Sequence, residues 1–278
     1  MASVINTNIN SLNTQKNLSA SQGSLSTAMQ RLSSGMRINS GADDASGLSI
    51  ATKMDSQVRG MNVAIRNSND AISFAQTADA GLSSVNDSLQ RMRELAVQGA
   101  NGTTDNASLA AEFSQLQAEI TRVTGNSNFN GTNTLGAAAA TGLNFQVGAG
   151  TTANDSVAVT GVDLTAVASE TAKSAVNTIK VDTVANAKLA ITQIDKGIVE
   201  VSGARATYGA VQNRFTSIVS NLQASSESQS AAKSRIMDTD FAAETANLTR
   251  AQILQQAGTA MLAQANSSPN GVLALLRG

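Results

Sequence analysis

Apolar residues recur at intervals of three and four along most of this chain, and that spacing predicts helices. From about Ser3 to Met36 the positions Ile5, Ile9 and Leu12, then Leu25, Met29, Leu32 and Met36, predict a helix in which only Lys16 and Arg31 are charged. Gly35 and Gly41 bracket the stretch where it should stop and a loop begin. Between about Ser56 and Gly99 the residues Val58, Met61, Ile65, Ile72, Ala75, Leu82, Leu89 and Ala96 hold a heptad spacing, which predicts a long helix packed in coiled-coil fashion. The polar run from Asn101 to Asn106 breaks it. Leu109, Phe113, Leu116, Ile120 and Val123 then resume a shorter helix, and so short a loop implies an antiparallel return.

After Gly125 the period changes. Asn130-Gly131 is a turn dipeptide, while Leu143 to Val147 and Ser156 to Thr160 alternate at period two on either side of a Gly- and Thr-rich link. Roughly residues 128 to 182 therefore read as a small β region, too small for a substantial core of its own. From Val184 the helical ladder returns through Ala187, Ile191, Ile194, Ile198, Val201, Tyr208, Phe215, Val219 and Leu222, with Arg205 and Gln212 as polar interruptions. A last helix should run from Asp240, as N-cap, through Phe241, Leu248, Ile253, Leu254, Ala257, Met261, Leu262 and Ala265 to Pro269.

The fold class expected is mainly α: long antiparallel helices in a coiled-coil-like bundle, with a small β-hairpin region inserted between N- and C-terminal helical halves. Helices 56–124 and 184–226 can bury each other's stripes. The two terminal helices cannot, because the apolar positions of the last one cover more than half its circumference and no charge occurs from Ala251 to Leu276. Pairing them once leaves apolar surface over, which predicts that they are buried only in an assembly. The expected division is a terminal-helix domain, 1–40 with 235–278, and a second domain, 41–234, carrying the β region.

Composition narrows the function. The 278 residues include no His, no Cys and no Trp. That excludes the Ser-His-Asp triad, HExxH peptidases, disulfide frameworks and thiolate zinc sites. No catalysis and no cofactor is expected. Charged residues are 14% and the formal net charge is −1, so copies repel each other weakly and self-association is favoured. Lys and Arg are scattered, which gives no nucleic-acid footprint. No apolar run approaches the length of a membrane span, and the first fifteen residues lack the basic and apolar regions of a cleavable signal.

The remaining candidates read as structural. Asp43-Asp44 lacks the spaced ligands of a cation loop and suits turn and cap roles. Arg91, Arg93 and Glu94 read as a solvated charged face or, alternatively, as a surface used by a partner. The Ser/Thr-rich insert is most simply an exposed loop.

Specific residue runs carry more than spacing does. Arg31-Leu-Ser-Ser-Gly-Met-Arg-Ile-Asn39 followed by Asp43-Asp-Ala-Ser-Gly-Leu48, Arg66-Asn67, Asn69-Asp70 and Gln90-Arg-Met-Arg-Glu-Leu-Ala-Val-Gln98 resembles the N-terminal half of bacterial flagellin. At the other end the match continues in Ser234-Arg-Ile-Met-Asp-Thr-Asp-Phe-Ala242, Leu248-Thr-Arg-Ala-Gln-Ile-Leu-Gln-Gln-Ala-Gly258, Leu262-Ala-Gln-Ala-Asn266 and Val272-Leu-Ala-Leu-Leu276. The likeness covers about residues 1–135 and 180–278, and the short middle departs from flagellins with large outer domains.

The resemblance implies an extracellular structural subunit, with the terminal-helix domain, 1–40 with 235–278, as the inner, self-assembling one and the second, 41–234, as the outer core. It would be exported unfolded through the flagellar type III apparatus and polymerise beneath a cap into the helical flagellar filament, next to hook-associated proteins. Self-assembly would then fall to Ile5, Ile9, Leu12, Leu25, Met29, Leu32, Phe241, Leu248, Ile253, Leu254, Met261, Leu262, Leu273 and Leu276. It implies an export chaperone on Phe241 to Leu276, and recognition by the host's Toll-like receptor 5 through Arg91, Leu95 and Glu112. The alternative is a hook–filament junction protein, which shares terminal helices; a flagellin with a metallopeptidase insert is opposed by the missing His and the short insert.

Overall fold

The computed structural model describes residues 7–103, 105–136, 140–161 and 179–275, with side chains as far as residue 268. Five α-helices, two hairpins and one short 3-10 turn, Ala153–Asp155, make up the regular structure among them: α1 Ile9–Ser34, α2 Ala45–Gly99, α3 Asn106–Asn126, β1 Asn128–Phe129, β2 Thr132–Asn133, β3 Leu143–Gln146, β4 Ser156–Val159, α4 Val184–Met237 and α5 Phe241–Leu275. The chain packs as two compact units, Met1–Ser56 with Ser228–Gly278, and Gln57–Glu227.

Element ends follow local chemistry. Asn8 caps α1, its side chain accepting from the Ser11 amide, and Gly35 ends the helix at φ 71°, a conformation that costs a residue without Cβ little. Asp43 accepts from the Asn39 and Ser40 amides and from the Ser40 hydroxyl, and these bonds, the hydroxyl first, hold its pKa below the ordinary value. Asp44 accepts from the Gly47 amide at the start of α2. These two acids are thus turn and cap residues. The cap moves the start of α2 to Ala45, eleven residues before the apolar ladder becomes regular at Ser56. Asp105 caps α3 through the Ala107 amide, and Asp240 accepts from the Ala242 and Ala243 amides to open α5. α4 runs on to Met237, well past residue 226, through a stretch of Ser, Ala, Gln and Glu whose few apolar positions give the periodicity nothing to mark.

In the second unit the heptad ladder is buried as the spacing requires. Met61, Ala75, Leu82, Leu89 and Ala96 of α2 are buried, as are Leu109, Phe113 and Ile120 of α3 and Ala187, Ile194, Val201, Tyr208 and Phe215 of α4. Arg205, a polar break in the α4 ladder, donates from Nε to Asp79 Oδ1 of α2 at 2.8 Å. The β region supplies two antiparallel hairpins, β1 with β2 and β3 with β4, the latter in register Leu143↔Val159 to Gln146↔Ser156. Alternation on β4 turns Val157 and Val159 inward. The hairpins lend the core its rings: Phe129 meets Phe74 edge-on at 6.1 Å, and Phe145 lies between Phe74 and Phe215 at 6.1 and 5.9 Å. A short insert without a core of its own is therefore held by α2 and α4. Residues 162–178, in the expected β region, lie outside the described residues.

In the first unit α1 and α5 lie antiparallel, contacting each other along much of their length. The turns that join them to α2 and α4 are pinned: the Arg37 amide donates to Met237 O at 2.6 Å, and Thr239 N to Gly35 O at 3.0 Å.

Candidate assembly surface on the terminal helices

The most buried residues of the seam between α1 and α5 are small or polar, with leucines half-buried beside them. Ser11, Ala28, Ala251 and Glu244 are its buried members, each 8% exposed or less. Gly258 belongs to the same seam; a Cβ there would stand 3.2 Å from Leu18 Cδ1, so its absence allows the close approach. Asn8 Nδ2 donates to Ala265 O at 2.7 Å and the Ser11 hydroxyl to Asn266 Oδ1 at 2.8 Å. At the other end Glu244 lies 4.0 Å from Arg31.

The large apolar side chains point the other way. Ile9, Leu12 and Met29 on α1 and Phe241, Ile253, Leu254 and Met261 on α5 are between 51% and 67% exposed. Leu25, Leu32, Leu248 and Leu262 are half-buried. Of the other residues the sequence singled out here, Ile5, Leu276 and the side chain of Leu273 lie outside the described residues. A pair of helices that buries Ser and Ala while exposing Ile, Leu, Met and Phe inverts the usual ordering of a closed globule. A groove of about 600 Å³ runs beside this face, lined by Ser21, Gly23, Ser24 and Thr27 of α1 and by Arg250 and Leu254 of α5.

The seam residues escaped the sequence reading because apolar periodicity gives small and polar side chains no weight. Asn8 left a usable signal, an N-cap type of residue directly before Ile9, although the apolar spacing from Ile5 places the helix start earlier, at about Ser3; Ser11 and Gly258 left none.

On α2 and α3 the charged face is exposed. Arg91 donates to Glu112 Oε1 and Glu94 Oε2 at 2.8 and 2.9 Å, and these bonds, to Glu112 first, raise its pKa. Arg93 pairs with Asp195 at 2.6 Å. Leu95 is 1% exposed and belongs to the bundle core with Met92 and Phe113. Of the three residues named for receptor recognition, the structure brings Arg91 and Glu112 together at the surface and places Leu95 in the core: one residue after exposed Glu94, the helical turn carries its side chain inward.

Among the described residues no group of three or more acidic side chains is placed to hold a metal ion, and no helix is long and apolar enough to cross a membrane. The fold and this face define a class: a helical structural protein whose paired terminal helices present apolar surface outward. The comparisons with known proteins carry this further. Residues 5–140 match the model of the bacterial flagellin N-terminal helical region, and residues 191–276 that of the C-terminal helical region. The chain is 44% identical to a flagellin of Halalkalibacterium halodurans over 277 residues, 99% of this chain and 100% of the relative. It is 40% identical to the flagellar filament 33 kDa core protein of Treponema phagedenis, again over 99% and 100%. A solved flagellin of Bacillus cereus is 32% identical with a TM-score of 0.49, covering 56% of this chain and 88% of that one. The chain belongs to the bacterial flagellin family, in a short form. It is a structural subunit of the flagellar filament, an extracellular appendage, and the hook–filament junction reading is not favoured.

Proposed function

We propose that α1 and α5 form the inner assembly layer of the filament, with residues 1–40 and 235–278 as the self-assembly domain and 41–234 as the outer core domain. The observation that carries this is the inverted seam. Ser11, Ala28 and Ala251 fill the contact within one chain, leaving Ile9, Leu12, Met29, Phe241, Ile253, Leu254 and Met261 for contacts between chains. A heterologous, non-closing arrangement of such contacts generates a helical polymer. The half-buried Leu25, Leu32, Leu248 and Leu262 would add to these contacts, and Ile5, Leu273 and Leu276 are assigned to them from the sequence alone. The chain has no catalytic role in this reading: its chemistry is burial.

Family membership also supports a reading with further partners. An export chaperone would cover the C-terminal region from Phe241 while it is unpolymerised, since the same apolar face otherwise meets water. A cap and hook-associated proteins would hold the ends of the polymer. Toll-like receptor 5 would meet the exposed Arg91 and Glu112, the guanidinium offering a planar donor fork, with Leu95 supporting that surface from beneath.

Electron microscopy of the purified chain after addition of filament seeds tests the reading. The full chain should elongate into tubes. Chains lacking residues 1–36 or 241–278 should stay helical and soluble without elongating; filaments from either truncation would sink the inner-layer assignment, and a full chain that never elongates would favour a junction adaptor.

A further inference from the structure

Pro269 lies inside α5, which continues to Leu275. Proline has no backbone N–H, so the carbonyl four residues earlier, that of Ala265, loses its intrahelical donor. Asn8 replaces it: its side-chain Nδ2 donates to Ala265 O at 2.7 Å. The other half of the same amide, Oδ1, accepts from the Ser11 amide at 3.1 Å and caps α1. Only one orientation of the amide meets both needs. Beside it the Ser11 hydroxyl donates to Asn266 Oδ1 at 2.8 Å.

We propose that Asn8 couples the two ends of the chain, so that the first turn of α1 and the last turns of α5 order together as one unit. One side chain serves an orphan donor at the start of α1 and an orphan acceptor ahead of Pro269 in α5. A docked α1 therefore lets α5 continue past its proline, and α5 in turn holds Asn8 in its capping position. The coupling acts within one chain and does not depend on the assembly reading above.

Hydrogen exchange followed by mass spectrometry on the full chain, free and in seeded polymer, tests this. Asn8→Asp keeps the capping oxygen and loses the donor; Asn8→Ser is a shorter, neutral variant with the same intent. Each should lower protection about tenfold in residues 270–275, and in α1 residues 12–16 although the cap acceptor is retained. Pro269→Ala returns a backbone donor to Ala265, so in that background the Asn8 variants should change protection at 270–275 by less than about twofold. Equal losses with and without the proline, no loss in the single variants, or complete exchange of both ends in the unmodified chain in both states would overturn the coupling. A chain that fails to polymerise but shows the proline-dependent losses would overturn only the assembly reading.

Discussion

The hydroxyl of Tyr208 donates to the carbonyl oxygen of Thr134 at 2.9 Å, with both residues buried, and so fastens α4 to the segment that follows the β1–β2 hairpin. Tyr208→Phe keeps the ring and strands the carbonyl. It should cost about 1–3 kcal/mol, read as a lower thermal or urea midpoint of the full chain with unchanged helical content. Burial also pushes the phenol from 10.0 to about 12. Because the folded value is raised, this contribution to stability is complete below pH 10 and is lost as pH rises from there to about 12. Tyr208 is the chain's single tyrosine, so ultraviolet titration follows it alone. Ionisation centred at pH 10 with the fold intact would contradict the burial.

Leu95 and Arg91 are one helical turn apart and should behave oppositely. Leu95→Ala opens a cavity in the α2–α3–α4 core and should destabilise by about 2–5 kcal/mol. Arg91→Ala removes an exposed pair with Glu112 and should leave the unfolding midpoint unchanged. Receptor activation by monomeric protein should follow the reverse order: weakened severalfold by Arg91→Ala, and preserved by Leu95→Ala at a temperature where that variant is still folded. Full signalling by Arg91→Ala would remove this face from recognition.

Ile253 and Met261 are 60% and 62% exposed, so their replacement by Ser and Gln should leave the spectrum and solubility of the free chain unchanged. If the polymer buries them, each loses about 1.5–3 kcal/mol of burial per subunit contact. The critical concentration for elongation should then rise roughly tenfold or more. Ala251→Leu probes the inside of the same helix pair: it should disrupt α1 against α5 through overpacking, seen as lost protection in both helices.

The sequence by itself determined the helices of the second unit, because Leu82, Leu89, Ile194, Val201 and Phe215 are large, apolar and regularly spaced, and such a stripe has one inexpensive place to go. It also determined the hairpins, through Asn130-Gly131 and the alternation on Leu143–Gln146 and Ser156–Val159. The cap at Asp44, which starts α2 early, was less legible, since one local hydrogen bond outweighed eleven residues of irregular periodicity. The outward direction of Ile253 and Met261 was anticipated only as a surplus of apolar surface. Which residues form the seam was decided by tertiary structure. Ser11, Ala28, Ala251 and Gly258 win that position because close approach of two backbones rewards absent volume, a property that hydrophobic spacing does not register. The same holds for Leu95, whose burial depends on where α3 and α4 stand. It holds again for Asn8, whose bond to Ala265 spans 257 positions of sequence and exists only because the chain ends are antiparallel neighbours.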